Sequence, residues 1–291
     1  MLDVEKALRD FSDGFSRELE AYLPQGDDIV SQTMRYCLEG GGKRIRPALV
    51  AAFCELFGGE ARRSAPLAVA LEMVHTYSLI HDDLPCMDDD DWRRGKLSCH
   101  RKFGEAAALL AGDALLTMAF EVIAGADGFN AEIRCRAVAL LARAAGIEGM
   151  IGGQWLDMQY ERRTITRPEL EEMNRKKTGA LLETACYFGC LAAGADEAET
   201  AAALRCADHL GLLFQLTDDI LDVTAESAKI GKTAGKDRRA GKNTWVSLLG
   251  LEQAEQAAKE LAQTARREIA PWASEESLLF QLPEWLAHRE R

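Results

Sequence analysis

Apolar residues recur at three- and four-residue intervals through most of this 291-residue chain. Polar or glycine-rich stretches interrupt them at 24–27, 40–46, 58–59, 84–100, 125–130, 162–166 and 227–241. A period near 3.6 is the signature of amphipathic helix. Period-two runs of Val, Ile and Thr are nearly absent, and Ala and Leu dominate, so the pattern predicts an all-α fold of about ten or more helices. Pro47 follows the 40–46 stretch at a place where a first helical turn tolerates proline. Thr166 and Glu169 have the spacing of a capping box. With no repeat, low-complexity segment or Ser/Gly-rich linker, residues 1–291 read as one helical domain around a central cavity. The most apolar stretch, 106–126, is interrupted by Asp113 and Glu121 and is expected to be a buried helix, not a membrane span.

Two aspartate clusters break the pattern. The first is Asp82-Asp83-Leu84-Pro85-Cys86-Met87-Asp88-Asp89-Asp90-Asp91, and the second is Asp218-Asp219-Ile220-Leu221-Asp222. Carboxylates this dense repel one another at neutral pH, and a divalent cation is the usual remedy. Both clusters are embedded in helical sequence, not in polar tails. Asp218 and Asp222 are spaced i, i+4 and share a helix face. Aspartates offered by two helices across a cavity suit magnesium shared with substrate phosphates better than an all-protein calcium cage.

Cations accompany each cluster. The Gly40-Gly41-Gly42-Lys43-Arg44-Ile45-Arg46 turn leads into a helix start, where backbone N–H groups already favour anions. Lys43 and Arg46 would add charge-assisted bonds to a phosphate there. Arg93 and Arg94 follow the first cluster, and their guanidinium groups suit the non-bridging oxygens of a metal-held phosphate. Lys177-Thr178-Gly179 lies within helical sequence; Lys232, Lys236 and Lys242 follow the second cluster. His75 precedes Asp82 by seven residues and points toward the same side of its helix. The sequence contains neither a Gly-x-Ser-x-Gly nucleophile nor a P-loop pattern, and no Cys/His pair has catalytic spacing. A substrate with a diphosphate head and a hydrocarbon tail, reacting by ionisation inside dry walls, is the chemistry these residues suit.

The net charge of −12 argues against nucleic acid as the main partner. The eight cysteines, at 37, 54, 86, 99, 135, 186, 190 and 206, form neither a Cys-x-x-Cys motif nor a zinc spacing. Most sit in apolar surroundings and read as core residues of a protein in a reducing compartment. The first residues lack the pattern of a secretory signal, and a cytoplasmic location is expected.

Taken in order, Gly41-Gly42-Lys43-Arg44-Ile45-Arg46-Pro47, His75-Thr76-Tyr77-Ser78-Leu79-Ile80-His81-Asp82-Asp83-Leu84-Pro85, Met87 to Asp91 with Arg93-Arg94-Gly95, Gly152-Gly153-Gln154, Lys177-Thr178-Gly179 and Phe214-Gln215-Leu216-Thr217-Asp218-Asp219-Ile220-Leu221-Asp222 are the motifs of a known family. The chain resembles the trans-prenyl diphosphate synthases over essentially its whole length, and the bacterial farnesyl diphosphate synthases most closely.

The resemblance implies an isoprenoid synthase fold and a homodimer that condenses an allylic diphosphate with isopentenyl diphosphate. It implies that Asp82, Asp88 and Asp218 hold three magnesium ions on the allylic diphosphate, with Asp83 and Asp222 in support. Arg93, Lys177, Lys232 and Lys242 would grip that group. Gly42, Lys43, Arg46, His75 and Arg94 would take the isopentenyl diphosphate. Gln215, with Lys177 and Thr178, would stabilise the allylic cation, and the leaving diphosphate would serve as the final base. Tyr77 and Ser78, five and four residues before Asp82, would form the pocket floor that limits the product to fifteen carbons. The alternatives are a synthase of ten- or twenty-carbon product, a terpene cyclase, which need not bind a second diphosphate, and a non-catalytic regulatory homologue. One departure is Lys242-Asn243-Thr244-Trp245-Val246, where many relatives have Lys-x-Thr-Tyr-Pro; the lysine is kept. The basic ending, His288 to Arg291, would fold over the site.

Overall fold

The computed structural model describes residues 2–224 and 242–289. They form helices α1 (Val4–Glu20), α2 (Ile29–Leu38), α3 (Ile45–Leu56), α4 (Ala61–Asp82), α5 (Cys99–Phe103), α6 (Glu105–Ala124), α7 (Ala131–Ala145), α8 (Met150–Tyr160), α9 (Arg167–Asn174), α10 (Ala180–Ala193), α11 (Glu197–Thr224), α12 (Trp245–Leu249), α13 (Leu251–Ile269) and α14 (Leu278–His288). A π-helical turn, Arg175–Gly179, joins α9 to α10, so the Lys177 stretch is not plain α-helix.

Capping chemistry sets many of the starts. Asp3, Asp28 and Asn130 accept N–H bonds from the first turns of α1, α2 and α7, and the Thr166/Glu169 capping box opens α9 as expected. The only sheet among the described residues is a hairpin inside the 84–100 loop, β1 (Trp92–Arg93) paired antiparallel with β2 (Lys96–Leu97). Its turn residues, Arg94 and Gly95, both have positive φ, 53° and 74°. That is the demand of a type I′ turn. An arginine in place of the usual Asn or Asp hides the turn from a reading of the sequence.

The outer and inner helices bury different patterns. On α1, only Val4, Leu8, Phe15 and Leu19 are buried, and on α13 only Ala254, Ala258, Ala262, Ala265 and Ile269. Each is a single stripe with a solvated back. By contrast, α4 buries every residue from Leu67 to Val74 because α3, α6 and α10 surround it. Helix α10 packs against α3, α4, α7 and α11, and so separates the two helices that carry the acidic clusters. Helix α6 lies along α4, and a Cβ at Gly112 would sit 2.1 Å from the ring of His81, the residue before Asp82. The face of α6 on α4 is buried, but Leu109 and Leu110 on another face are 47% and 53% exposed. The helix is long and apolar enough to cross a membrane, the test that core helices of soluble proteins also pass.

Candidate active site

Helix α4 ends at Asp82, and the chain then folds back on the helix end. The N–H groups of Asp88 and Asp90 donate to the carbonyls of Asp82 and Asp83, at 2.9 and 3.2 Å. These bonds satisfy carbonyls left open at the helix terminus and bring Asp88 beside Asp82. Burial pushes the Asp82 carboxyl up to about 6; Lys177 opposes this and Asp88 reinforces it. Asp83 faces away from that pair. Its side chain is 4% exposed and takes a two-pronged bond from Arg93, which also approaches Asp90 at 3.7 Å.

Opposite, near the end of α11, Asp218 is exposed, and Asp222 is half-buried one turn further on. Asp219 is buried. It accepts the Gln215 amide at 2.9 Å and the backbone N–H of Trp245 at 2.7 Å. Thr178 donates to the Gln215 oxygen at 3.2 Å. Thr178, Gln215 and Asp219 therefore form one hydrogen-bonded line from the π turn to α12. Glycines make that line possible. A Cβ at Gly153 would lie 2.1 Å from the Lys177 nitrogen, and one at Gly211 would lie 2.9 Å from the Gly179 Cα. Helices α8 and α11 can approach the π turn this closely only without side chains there.

Asp157 is a site residue that the sequence reading missed. Lys177 Nζ lies 2.5 Å from its carboxylate and Lys242 Nζ lies 3.7 Å away, while Lys242 also reaches Asp88 at 3.3 Å. Lys177 and Lys242 are thus positioned together beside Asp82 and Asp88, at the rim expected for the allylic diphosphate. Asp157 is i+4 from Gly153, on the face where the glycine admits Lys177, a relation that only the packing reveals. Lys232 lies outside the described residues.

The second cationic group lies around the 40–46 turn. Lys43 is exposed, with its ammonium 5.1 Å from the Trp285 ring on α14. Arg46 approaches His75 Nε2 at 3.5 Å. Burial, and then the guanidinium groups of Arg46, Arg94 and Arg44, hold His75 well below the usual histidine range, so its ring is neutral at pH 7. Arg94 donates to the Gly41 carbonyl, and its guanidinium fills the space a Cβ at Gly42 would need, at 2.7 Å. Gly42 is therefore placed by close approach. Asp218 also acts electrostatically on Arg46, so the second acidic cluster lies near the basic group.

Tyr77 is buried one turn before Asp82, edge-on to His81 at 5.6 Å, with its hydroxyl buried and without a hydrogen-bond partner. Burial and Asp82 push that hydroxyl up to about 12. Ser78 is half-buried, and its hydroxyl is occupied by the His75 carbonyl at 2.9 Å. At the C-terminus Arg289 bonds Asp218 and lies 4.5 Å from the Phe214 ring.

Hard oxygen donors from two helices and a loop suit magnesium. Among the described residues no three metal-binding side chains converge into a ready-made cluster.

Comparison with known proteins agrees with this geometry. A profile of the polyprenyl synthetase family matches residues 27–276. The farnesyl diphosphate synthase of Bacillus subtilis is 42% identical over 97% of both chains. The large subunit 1 of a heterodimeric geranylgeranyl pyrophosphate synthase from Arabidopsis thaliana is 43% identical over 94% of this chain and 76% of its own. Among solved structures, an FPP/GFPP synthase from Zymomonas mobilis superposes with a TM-score of 0.87 at 33% identity, covering 98% of this chain and 99% of that one. With a family profile over most of its length and relatives above 40% identity across nearly the whole chain, the protein belongs to the polyprenyl synthetase family of prenyltransferases.

Proposed function

We propose that the protein is a magnesium-dependent farnesyl diphosphate synthase. It condenses isopentenyl diphosphate with dimethylallyl and then geranyl diphosphate, head to tail and in the trans sense. The observation that supports this reading is two separate groups of cations: Lys177 and Lys242 beside Asp82 and Asp88, and Arg46 and Arg94, with His75, beside the Gly41-Gly42 turn. A cyclase or a simple hydrolase needs only the first.

In this reading Asp82, Asp88, Asp218 and Asp222 would hold magnesium, and Asp83 supports them by fixing Arg93. When bound, magnesium would offset the negative charge of a departing diphosphate. The Gln215 oxygen and the Thr178 hydroxyl face the resulting cation. The double bond of isopentenyl diphosphate attacks it, and the proton then lost passes to the released diphosphate. Lys43, Arg46, Arg94 and neutral His75 hold the isopentenyl group in place meanwhile.

Tyr77 supports a fifteen-carbon product because its ring, buried one turn beneath Asp82, fills the depth a longer chain needs. The geranylgeranyl synthases among the relatives make a twenty-carbon product the second reading. A stripe on and before α8, Ile147, Ile151, Trp155 and Met158, is exposed. With Leu109 and Leu110 on α6 it supports the association of two subunits as a homodimer.

The test is incubation with dimethylallyl and isopentenyl diphosphates, with and without magnesium, followed by chain-length analysis. Farnesyl diphosphate is expected with magnesium and no product without it. Tyr77→Ala should shift the product toward twenty carbons or more. Absence of condensation by the wild type would overturn the reading, and an unchanged product from an active Tyr77→Ala variant would place the floor elsewhere.

A further inference from the structure

Behind the basic cradle lies an ion pair that touches no substrate in the reading above. The Arg44 guanidinium bonds the Glu72 carboxylate and, through its other terminal nitrogen, the Leu38 carbonyl at the end of α2. The two side chains are 1% and 2% exposed. Arg44 itself sits in the left-handed region, φ 48° and ψ 39°, at the start of α3. Left-handed backbone is costly for a residue with a side chain and persists where the surroundings enforce it. Fully buried pairs are also seldom retained for stability alone, since well-packed apolar residues often serve as well.

We propose that Arg44 and Glu72 are positioning residues of the homoallylic diphosphate site, setting the register between the 40–46 turn and α4. The pair ties together α2, the turn and α4, one helical turn before His75. By holding Arg44 inward, it turns the chain so that Lys43 faces solvent and Arg46 meets His75 at 3.5 Å. Glu72 is also the carboxylate whose charge reaches both Arg46 and Arg94. One buried carboxylate thus bonds Arg44 and adds its negative charge to the field around Arg46 and Arg94. The charge they still carry is left for the incoming diphosphate.

This inference rests on reading the cradle as the isopentenyl diphosphate site, and the experiment separates the two. Steady-state kinetics with each substrate varied in turn would compare Glu72→Gln, Arg44→Lys and Lys43→Ala. Glu72→Gln keeps the shape and removes the charge. Arg44→Lys keeps the charge and loses the fork that spans Glu72 and Leu38. Each should raise KM for isopentenyl diphosphate about tenfold or more, with KM for the allylic substrate changed less than about twofold. Combining them should add little beyond the worse single variant. If Glu72→Gln does not fold, Arg44→Lys carries the test. Equal changes in both KM values would reduce the pair to a general structural role and overturn the proposal. So would an unchanged or lowered KM for isopentenyl diphosphate in the folded variants. If Lys43→Ala also leaves that KM unchanged, the reading of the cradle fails; if Lys43→Ala raises it and the other two do not, only this inference fails.

Discussion

The two Asp-Asp pairs, Asp82-Asp83 at the end of α4 and Asp218-Asp219 near the end of α11, are identical in sequence but are held differently. In each pair the first residue looks toward the cavity and the second is 3% exposed. Asp83 is neutralised by a full charge, the Arg93 guanidinium. Asp219 accepts hydrogen bonds from two dipoles, the Gln215 amide and the Trp245 N–H. Both pairs split for the same reason: Asp83, the C-cap of α4, keeps right-handed helical backbone with its N–H on the Leu79 carbonyl, so in either helix successive residues point about 100° apart. A doubled aspartate is therefore one carboxylate for chemistry and one for the scaffold, and the scaffold partner decides what its loss costs.

The largest expected effect falls on the cavity-facing members. Asp82→Ala or Asp218→Ala should lower turnover by about 1,000-fold or more, roughly 4 kcal/mol of transition-state stabilisation, with circular dichroism unchanged. Near-normal turnover in either variant at ordinary magnesium would break the division of labour.

Next come the scaffold members, read by chemical denaturation. Asp83→Asn removes the nearer of the two carboxylates facing a largely buried guanidinium, leaving only Asp90 at 3.7 Å, and should cost about 3 kcal/mol. Asp219→Asn keeps an acceptor for Trp245 and should cost about 1–2 kcal/mol. Equal losses would show that charge and dipole partners do not differ in the way argued.

Asp82→Asn should do the opposite at pH 8 in metal-free buffer. The folded-state pKa of about 6 lies above the ordinary aspartate value of 3.8. Folding therefore favours the protonated form, and ionisation penalises the fold increasingly from about pH 4 to pH 6 and fully above it. Removing the charge should stabilise the protein by about 1–3 kcal/mol at pH 8 and by almost nothing at pH 4, as measured by thermal melts. A flat pH response would mean that Asp82 is not strained by its surroundings.

The smallest effect sharpens the boundary of the first cluster. Asp91 pairs with Arg101 at 2.9 Å, but both side chains are more than half exposed. Asp91→Ala should change stability by less than about 0.5 kcal/mol and leave turnover within twofold; a large loss would extend the working cluster beyond Asp88.

The all-α class and about half of the breaks between helices were legible in the sequence, as were the acidic and basic motifs expected to bind diphosphate. Helical periodicity, capping residues and the repulsion of clustered carboxylates are local properties, written in residues a few positions apart. Even the glycines at 42 and 153 could be singled out, though not their reasons, which are the Arg94 guanidinium and the Lys177 backbone. What lay beyond reach depends on packing between distant elements. Lys242 meets Asp88 across 154 positions, and Arg44 meets Glu72 across 28. No local pattern distinguishes Asp157 as the carboxylate that two lysines share. By itself the sequence determined an all-α chain carrying acidic and basic groups suited to a diphosphate. Only the tertiary structure decided which aspartate of each pair turns inward, because that choice is made by the partners that packing brings to it.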